Sequence, residues 1–212
     1  WNMEARSKYP HADSLGDVAI REGIQNSLDA VLEAVEKGEI KLGKIDIKDY
    51  MSGYEITDNG VGMSDADIAS KFLALHGTGK DKPGRFGGFG IAKAVILGPS
   101  ETATWTLETR DNYFTHEQAQ NREKVKRLKK GRQGTKISVK TTETITTDEA
   151  KKYAETTETP KNIRITYDGQ KVKDPFKRRK FVEQEGSIGD ETTYKLRYYP
   201  NSPRGYEKKL IM

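Results

Sequence analysis

Residues 13–38 read DSLGDVAIREGIQNSLDAVLEAVEKG and carry the clearest structural pattern in the chain. Apolar side chains recur there at helical spacing, at Ile24, Leu28, Val31 and Val35. Gly38 is a suitable terminator, because glycine readily adopts the left-handed conformation that ends many helices. The stretch therefore predicts an amphipathic helix from Asp13 to about Gly38.

The segments outside this helix predict strands and shorter helices. Alternating patterns predict strands at residues 44–50, 54–57, 102–109, 135–140, 162–167 and 192–199, with a hairpin partner for the third around residues 113–114. Helices are predicted at residues 64–75, 91–97 and 147–157. Because these elements mix without regular β-α-β alternation, we predict an α+β sandwich rather than a doubly wound sheet.

The composition is that of a polar globular domain. Hydrophobic residues make up 33% of the 212 residues and charged residues another 33%, and the apolar periodicity favours a folded domain over a disordered chain. The absence of cysteine excludes disulfides and thiolate metal sites. No apolar run approaches the roughly 20 residues that cross a bilayer, and no signal peptide is recognisable, so we expect a cytoplasmic protein without a membrane partner. The chain begins at Trp1 rather than Met, which is compatible with a piece of a longer protein.

The net charge of +5 comes from two local runs. Residues 122–132, from Arg122 to Arg132, contain seven basic side chains and one acidic one, and residues 177–180, from Lys177 to Lys180, are all basic. Without these two runs the chain is acidic. Such runs are typical of a solvated loop or helix face, and the alternative is an anionic partner such as DNA or RNA.

Three polar residues of the first helix lie on one of its faces. At about 100° per residue, Glu22, Asn26 and Asp29 fall within one narrow sector, opposite the apolar residues of the same helix. An ordinary amphipathic helix explains this stripe without any function.

A second feature follows the strand at residues 54–57. Asp58 begins the sequence Asp-Asn-Gly-Val-Gly-Met, which ends at Met63. A carboxylate at the end of a strand can accept a hydrogen bond from an exocyclic amine, and Gly60 and Gly62 let the backbone approach a ring closely. The alternative interpretation is a simple turn, since Asp-Asn-Gly is a good turn sequence.

Two further motifs lie downstream. Residues 76–90 predict a long loop that ends in Gly84-Arg85-Phe86-Gly87-Gly88-Phe89-Gly90 before a helix, where free backbone N–H groups can cradle phosphate. The loop is neither a Walker motif nor a Rossmann fingerprint, because no Gly-Lys-Ser/Thr follows it and it does not follow a first strand. The last motif is Gly134-Thr135-Lys136-Ile137, which opens a strand.

These four motifs, in this order, resemble the GHKL ATPases: gyrase B, the ninety-kilodalton heat-shock chaperone, histidine kinases and MutL, with MORC proteins as relatives. Residues 21–30 (REGIQNSLDA) and Gly134-Thr135-Lys136-Ile137 look closest to the chaperone-like and MORC-like domains. The resemblance implies a Bergerat-type, two-layer α/β sandwich in which helices cover one face of a mixed, mostly antiparallel sheet. It covers a predicted domain at residues 1–158, followed at residues 159–212 by a β-rich extension or the start of another domain.

The resemblance also implies a role for each site residue. Glu22 would be the general base, and Asn26 would be the protein ligand of Mg²⁺. Asp58 would bind the adenine amine, with Thr135 in support through water, and Asp29 would belong to the same pocket. The remaining predicted nucleotide-binding residues line the base or wrap the phosphates: Gly60, Gly62, Met63, Gly84, Gly87, Gly88, Phe89 and Gly90.

The predicted function is therefore Mg²⁺-dependent ATP binding and hydrolysis, with lid closure and dimerisation that drive a larger, DNA-acting machine. One alternative is a histidine-kinase-like phosphotransfer domain, although Glu22 suits water activation and residues 1–20 contain a single histidine, His11. Another is a nucleotide-regulated nucleic-acid binder with little hydrolysis, supported by the two basic runs.

Overall fold

The computed structural model describes residues 15–72, 103–142, 147–157, 159–173, 180–188, 192–198 and residue 200. The predicted glycine-rich loop, the helix at residues 91–97 and His11 lie outside these residues. Among the described residues the chain forms two compact units. The larger contains the residues up to Ala154 together with Thr159–Val172, and the smaller contains residues 155–157 and those from Lys173 onward.

The first helix, α1 (Leu15–Glu36), matches the predicted amphipathic helix. Gly38 follows it with a φ of +72°, and its N–H donates to the Val35 carbonyl at 3.0 Å. A residue with a side chain would be strained in that conformation, so glycine allows the chain to leave the helix here.

The larger unit is built on one mixed sheet. Its strands are β1 (Gly43–Tyr50), β2 (Gly53–Asp58), β3 (Ala103–Thr109), β4 (Asn112–Thr115), β5 (Lys126–Arg127), β6 (Thr135–Thr141), β7 (Ile163–Tyr167) and β8 (Gln170–Lys171). Their order is β5-β4-β3-β6-β2-β1-β7-β8. Only β1 and β7 pair in parallel among these strands; the other neighbours are antiparallel. The predicted α+β fold and mostly antiparallel sheet are confirmed.

The two faces of the sheet differ sharply in chemistry. One face carries the core, formed with α1 by residues such as Ile45, Ile56, Trp105, Leu107 and Ile165. The other face carries polar and charged residues that are exposed or half-buried, among them Lys48, Glu55, Thr106, Lys136 and Ser138. Because strand residues alternate between faces, this pattern gives one covered and one solvated face. Among the described residues the architecture is therefore two-layered, as predicted.

Helix α4 (Asp148–Thr156) completes the helical layer. Its Ala150 N–H donates to the buried Asp17 carboxylate of α1 at 2.8 Å. Tyr153 accepts a hydrogen bond from Gln25 at 2.7 Å and lies under the guanidinium of Arg21 at 4.9 Å. Asp17 thus satisfies an N–H in the first turn of α4, a group that has no partner within its own helix.

The predicted helix at residues 64–75 begins after Ser64 as expected, but its geometry differs, and residues 73–75 lie outside the described residues. One α-helical turn, α2 (Asp65–Asp67), is followed by a π-helix at Ile68–Phe72. Ser64 and Asp67 form a reciprocal capping box that starts the turn. The Ser70 hydroxyl donates to the Ala66 carbonyl four residues earlier at 2.6 Å, a bond that often bends helices.

The remaining elements were only partly predicted. The short helix α3 (His116–Gln120) and the strands β5 and β8 were not predicted. Strands β7 and β8 extend the main sheet beyond residue 158, and Asp168 and Gly169 connect them, both with positive φ. In the smaller unit, β9 (Val182–Ile188) and β10 (Thr192–Tyr198) form an antiparallel pair. No helix in the described part of the chain is long and apolar enough to cross a membrane.

Candidate functional site

A row of polar residues interrupts the core face at one end of the sheet. Asp58 ends β2, Thr135 opens β6 beside it, and Thr109 and Asn112 occupy the matching positions of β3 and β4. Asp58, Thr109 and Asn112 are buried, and Thr135 is half-buried. Polar groups are costly on a core face unless they are hydrogen-bonded, so their clustering marks this end of the sheet as a site.

The Asp58 carboxylate is held by three donors. Its Oδ1 accepts the N–H of Gly60 at 2.8 Å and the N–H of Thr135 at 3.2 Å, and its Oδ2 accepts the Ser27 hydroxyl at 3.3 Å. Burial raises the pKa of Asp58 to about 6, while these bonds and the charge of Arg132 act in the opposite direction. The carboxyl is therefore ionised at neutral pH but can be protonated at mildly acidic pH.

One side of this carboxylate retains acceptor capacity. An ionised carboxylate oxygen can accept about two hydrogen bonds. Oδ1 has two close donors, whereas Oδ2 has a single long bond from Ser27 among the described residues. Oδ2 is thus suited to accept a further hydrogen bond from a ligand N–H.

The loop after Asp58 is fixed against α1. A Cβ built on Gly60 would lie 2.5–2.7 Å from the Ala30 carbonyl group and Cβ, so only glycine fits at this contact. The neighbouring Val61 N–H donates to the Ala30 carbonyl at 3.1 Å. Gln133 also donates to the Gly60 carbonyl at 2.7 Å. These contacts place the Asp58–Met63 segment directly beside residues 27–30 of α1.

The β3–β4 hairpin holds the other side of the same loop. Met63 N–H donates to the Thr109 hydroxyl at 2.7 Å, and the Met63 carbonyl accepts from Asn112 at 3.4 Å. Arg110 Nε donates to the Val61 carbonyl at 3.0 Å. Gly62 lies between these contacts with a φ of +65°, a conformation that favours glycine.

Thr109 is the centre of this arrangement. Its side chain is 0% exposed. Besides accepting from Met63, its hydroxyl donates to the Gly134 carbonyl at 3.1 Å and lies 3.2 Å from the Thr135 hydroxyl. Gly134 itself has a φ of +78°, and a Cβ there would lie 2.2 Å from the Asp58 carbonyl oxygen. Thr109 therefore joins the loop after β2 to the start of β6.

The other sequence-predicted residues lie on α1 or outside the described residues. Of the α1 stripe, Asn26 is exposed, Glu22 is half-buried and Asp29 is buried. Ser27, which is not part of the stripe, is the α1 residue that donates a hydrogen bond to Asp58. The predicted phosphate-loop residues lie outside the described residues: Gly84, Gly87, Gly88, Phe89 and Gly90.

A family model described as histidine kinase-, DNA gyrase B-, and HSP90-like ATPase matches residues 14–157. The chain belongs to this GHKL ATPase family. The match confirms the resemblance drawn from the four motifs, and it covers the predicted residues from Glu22 to Thr135. No curated protein matches the chain. The specific likeness to MORC domains stays a prediction.

Family membership makes ATP binding the expected general activity of this GHKL domain. The sequence predicted Asp58 and Thr135 as site residues but not the residues that contact them or the adjoining loop: Ser27, Thr109, Arg110, Asn112 and Gln133. Thr109 did leave a signal, because it occupies the next core-facing position after Ala103, Trp105 and Leu107. A polar residue that continues an apolar alternation is a reasonable indicator of a buried polar cluster.

Proposed function

We propose that the chain binds ATP with Mg²⁺ and hydrolyses it, with the base at Asp58 and the phosphates beyond Asn26. The observation that carries this proposal is the buried Asp58 carboxylate, whose Oδ2 retains acceptor capacity at the end of the core face. The exocyclic amine of adenine is a donor of matching chemistry. The Thr135 N–H donates to the other oxygen of the same carboxylate, and Gly62, Met63 and Thr135 line the base in the proposal.

The side chains at this site fit a Mg²⁺ ion whose ligands come mainly from the nucleotide. The described residues contain no group of three His, Cys, Asp or Glu side chains placed to hold a metal. Asn26, an exposed residue of the α1 stripe, carries an amide oxygen. Mg²⁺ takes oxygen ligands and commonly keeps waters and phosphates with few protein groups. Asn26 would hold the ion, which supplies charge neutralisation for the phosphates when bound.

In the proposed reaction Glu22 orients a water and accepts its proton. The water oxygen bonds to the γ-phosphorus while the bond from that phosphorus to the β,γ-bridging oxygen breaks. A carboxylate is a weak base near neutral pH, so most of the acceleration comes from positioning and charge stabilisation. Asp29, buried one helical turn from Asn26, supports the polar pocket.

The proposal is tested by ATP hydrolysis and ATP binding measured separately, with and without Mg²⁺. Glu22→Ala is expected to bind ATP at near parental affinity and to lose turnover by a factor of roughly 100 or more, the usual contribution of a general base. Asp58→Asn is expected to lose affinity by about tenfold or more, because a charge-assisted hydrogen bond is lost.

Two matched variants serve as controls. Glu39→Ala removes an exposed carboxylate beyond the end of α1, and Asp46→Asn changes a carboxyl on the polar face of the sheet. Both are expected to behave like the parent. If Glu22→Ala and Asp58→Asn also match the parent, the site assignment is wrong.

In the wider proposal, closure of a lid formed by the glycine-rich segment and dimerisation couple hydrolysis to a larger machine. A second candidate role is contact with nucleic acid, supported by the basic runs at residues 122–132 and 177–180, of which residues 177–179 lie outside the described residues. Five exposed cations of residues 122–132 make no ion pair among the described residues: Arg122, Lys124, Lys126, Lys129 and Lys130. Arg127 and Arg132, in contrast, pair with Asp65 and Glu108.

A further inference from the structure

The Thr109 hydroxyl has three polar neighbours and one proton. The Met63 N–H can only donate to it, and the Gly134 carbonyl can only accept from it. We assign the single proton of Thr109 to the Gly134 carbonyl, because Gly134 is buried and a buried carbonyl without a donor is costly; one lone pair of Thr109 is used by Met63. The contact with the Thr135 hydroxyl at 3.2 Å can then be satisfied only if Thr135 donates.

These hydrogen bonds determine the direction of the Thr135 hydroxyl proton. With its proton directed to Thr109, Thr135 presents only lone pairs to the space beside Asp58. The Thr135 N–H is also used, because it donates to Asp58 Oδ1 at 3.2 Å. Asp58 is ionised at neutral pH, so its free capacity is likewise that of an acceptor.

We propose that Thr109 is a positioning residue for base selectivity. Because it directs the Thr135 proton away from the ligand, only hydrogen-bond acceptors face the base at this end of the pocket. The inference rests on the proposed function, since it takes the purine base to lie against Asp58 and Thr135. The 6-amino group of adenine can donate hydrogen bonds to the two acceptors, Asp58 and Thr135. A 6-oxo purine brings a carbonyl to the same position, so that the buried Asp58 and the half-buried Thr135 face an acceptor instead of a donor, which is the strong form of discrimination.

The test compares the dissociation constants of ATP and inosine triphosphate in the same magnesium buffer. Both ligands carry the same triphosphate, so the ratio of their affinities reports on the base alone. The parent protein is expected to prefer ATP. Thr109→Val keeps the shape of the side chain but frees the Thr135 proton to turn into the pocket. The preference for ATP is then expected to fall about tenfold, the equivalent of one hydrogen bond.

Thr109→Ser retains the hydroxyl and is expected to keep the parental ratio within about twofold. A merely structural role would lower both affinities together and leave the ratio unchanged, which would overturn the proposal. Unfolding by urea is measured for each variant, so that loss of folding is recognised separately.

Thr135→Val tests the same hydrogen-bond arrangement without changing Thr109. It is expected to weaken ATP binding and to leave inosine triphosphate binding unchanged or improved. If it weakens inosine triphosphate more than ATP, then the Thr135 proton points into the pocket and the proposal is wrong. A parent protein that binds both triphosphates equally also overturns it. A parent that binds neither contradicts the proposed function itself.

Discussion

At the scale of single residues, Asp58 balances two opposing effects. Burial favours its neutral form and raises its pKa to about 6, whereas the N–H groups of Gly60 and Thr135, the Ser27 hydroxyl and the Arg132 charge favour the ionised form. The pKa of Asp58 is raised above its ordinary value of 3.8. Protonation of Asp58 therefore stabilises the folded state; this stabilisation is fully present below about pH 3.8 and is lost as pH rises through about 6. Binding of adenine has the opposite pH dependence, because its amine needs the ionised Asp58 carboxylate as an acceptor.

Adenosine affinity is therefore expected to fall as pH drops through about 6, approaching a tenfold loss per pH unit below that value. Calorimetric titration from pH 8 to pH 5 measures this. Adenosine is the appropriate ligand because nucleotide phosphates titrate near pH 6 themselves.

Asp58→Asn should bind adenosine weakly with no dependence on pH in this range. Asp46→Asn should retain the parental profile, because that carboxyl lies on the opposite face of the sheet. An unchanged affinity between pH 7 and pH 5 in the parent would show that Asp58 does not meet the base.

At the scale of elements, the Asp58–Met63 loop is held between α1 and the β3–β4 hairpin. On the α1 side the contact depends on the missing side chain of Gly60, since a Cβ would overlap Ala30 at 2.5–2.7 Å. On the hairpin side it depends on hydrogen bonds from Arg110 and Asn112 and on the Thr109 hydroxyl. The loop is consequently ordered by tertiary contacts in addition to its own turn chemistry, in which the Gly60 N–H donates to Asp58 Oδ1.

Gly60→Ala is expected to lower the free energy of unfolding by about 2 kcal/mol, because the added methyl overlaps main-chain atoms of α1 that cannot move independently. Nucleotide affinity should fall as well, since Asp58 shares the displaced segment. Urea denaturation and ATP titration measure the two effects. Gly131→Ala is the matched control: a Cβ there meets nothing closer than 3.6 Å, so a change within about 0.5 kcal/mol is expected. Equal stability of the two variants would contradict the packing argument.

At the scale of the whole molecule, positive charge is concentrated on the β5 side of the larger unit. β5 is an edge strand, and the basic run around it is anchored by Leu128 and Arg132 N–H groups that donate to the Asp111 and Arg110 carbonyls at 2.7 and 2.8 Å. Lysines also protect edge strands from unwanted pairing, which is a sufficient reason for a few of them. Contact with phosphates would have a different signature, namely a steep dependence on salt.

Duplex DNA affinity is expected to fall with salt at a slope of roughly −0.9 per phosphate contacted. Replacement of Lys126, Lys129 and Lys130 by Gln should make the slope shallower by up to about 2.7. Fluorescence anisotropy with a labelled duplex between roughly 50 and 200 mM salt measures it. The control replaces Lys41, Lys44 and Lys171, which are exposed elsewhere and give the same change in net charge. A flat salt response in the parent would rule out this role.

Much of the larger unit could be predicted from periodicity alone. α1, β2, β3, β6 and α4 were placed within a residue or two, because apolar spacing reflects the core face directly. The π-helix at Ile68–Phe72 was not, because apolar spacing over so short a segment does not distinguish a π-helical turn from an α-helical one. The positioning role of Thr109 was also missed, because it depends on three residues far away in sequence.

The parallel pairing of β1 with β7 has a consequence for how the molecule forms. Gly43 lies opposite Ile163 in that ladder, so β1 keeps one unpaired edge during synthesis until the chain has grown well past the last of the ATP-binding motifs. Contacts so distant in sequence slow folding, and an open edge beside a hydrophobic core invites pairing with another chain. A ribosome-bound intermediate of this domain is therefore expected to carry its greatest risk of aggregation just before residues 163–167 emerge.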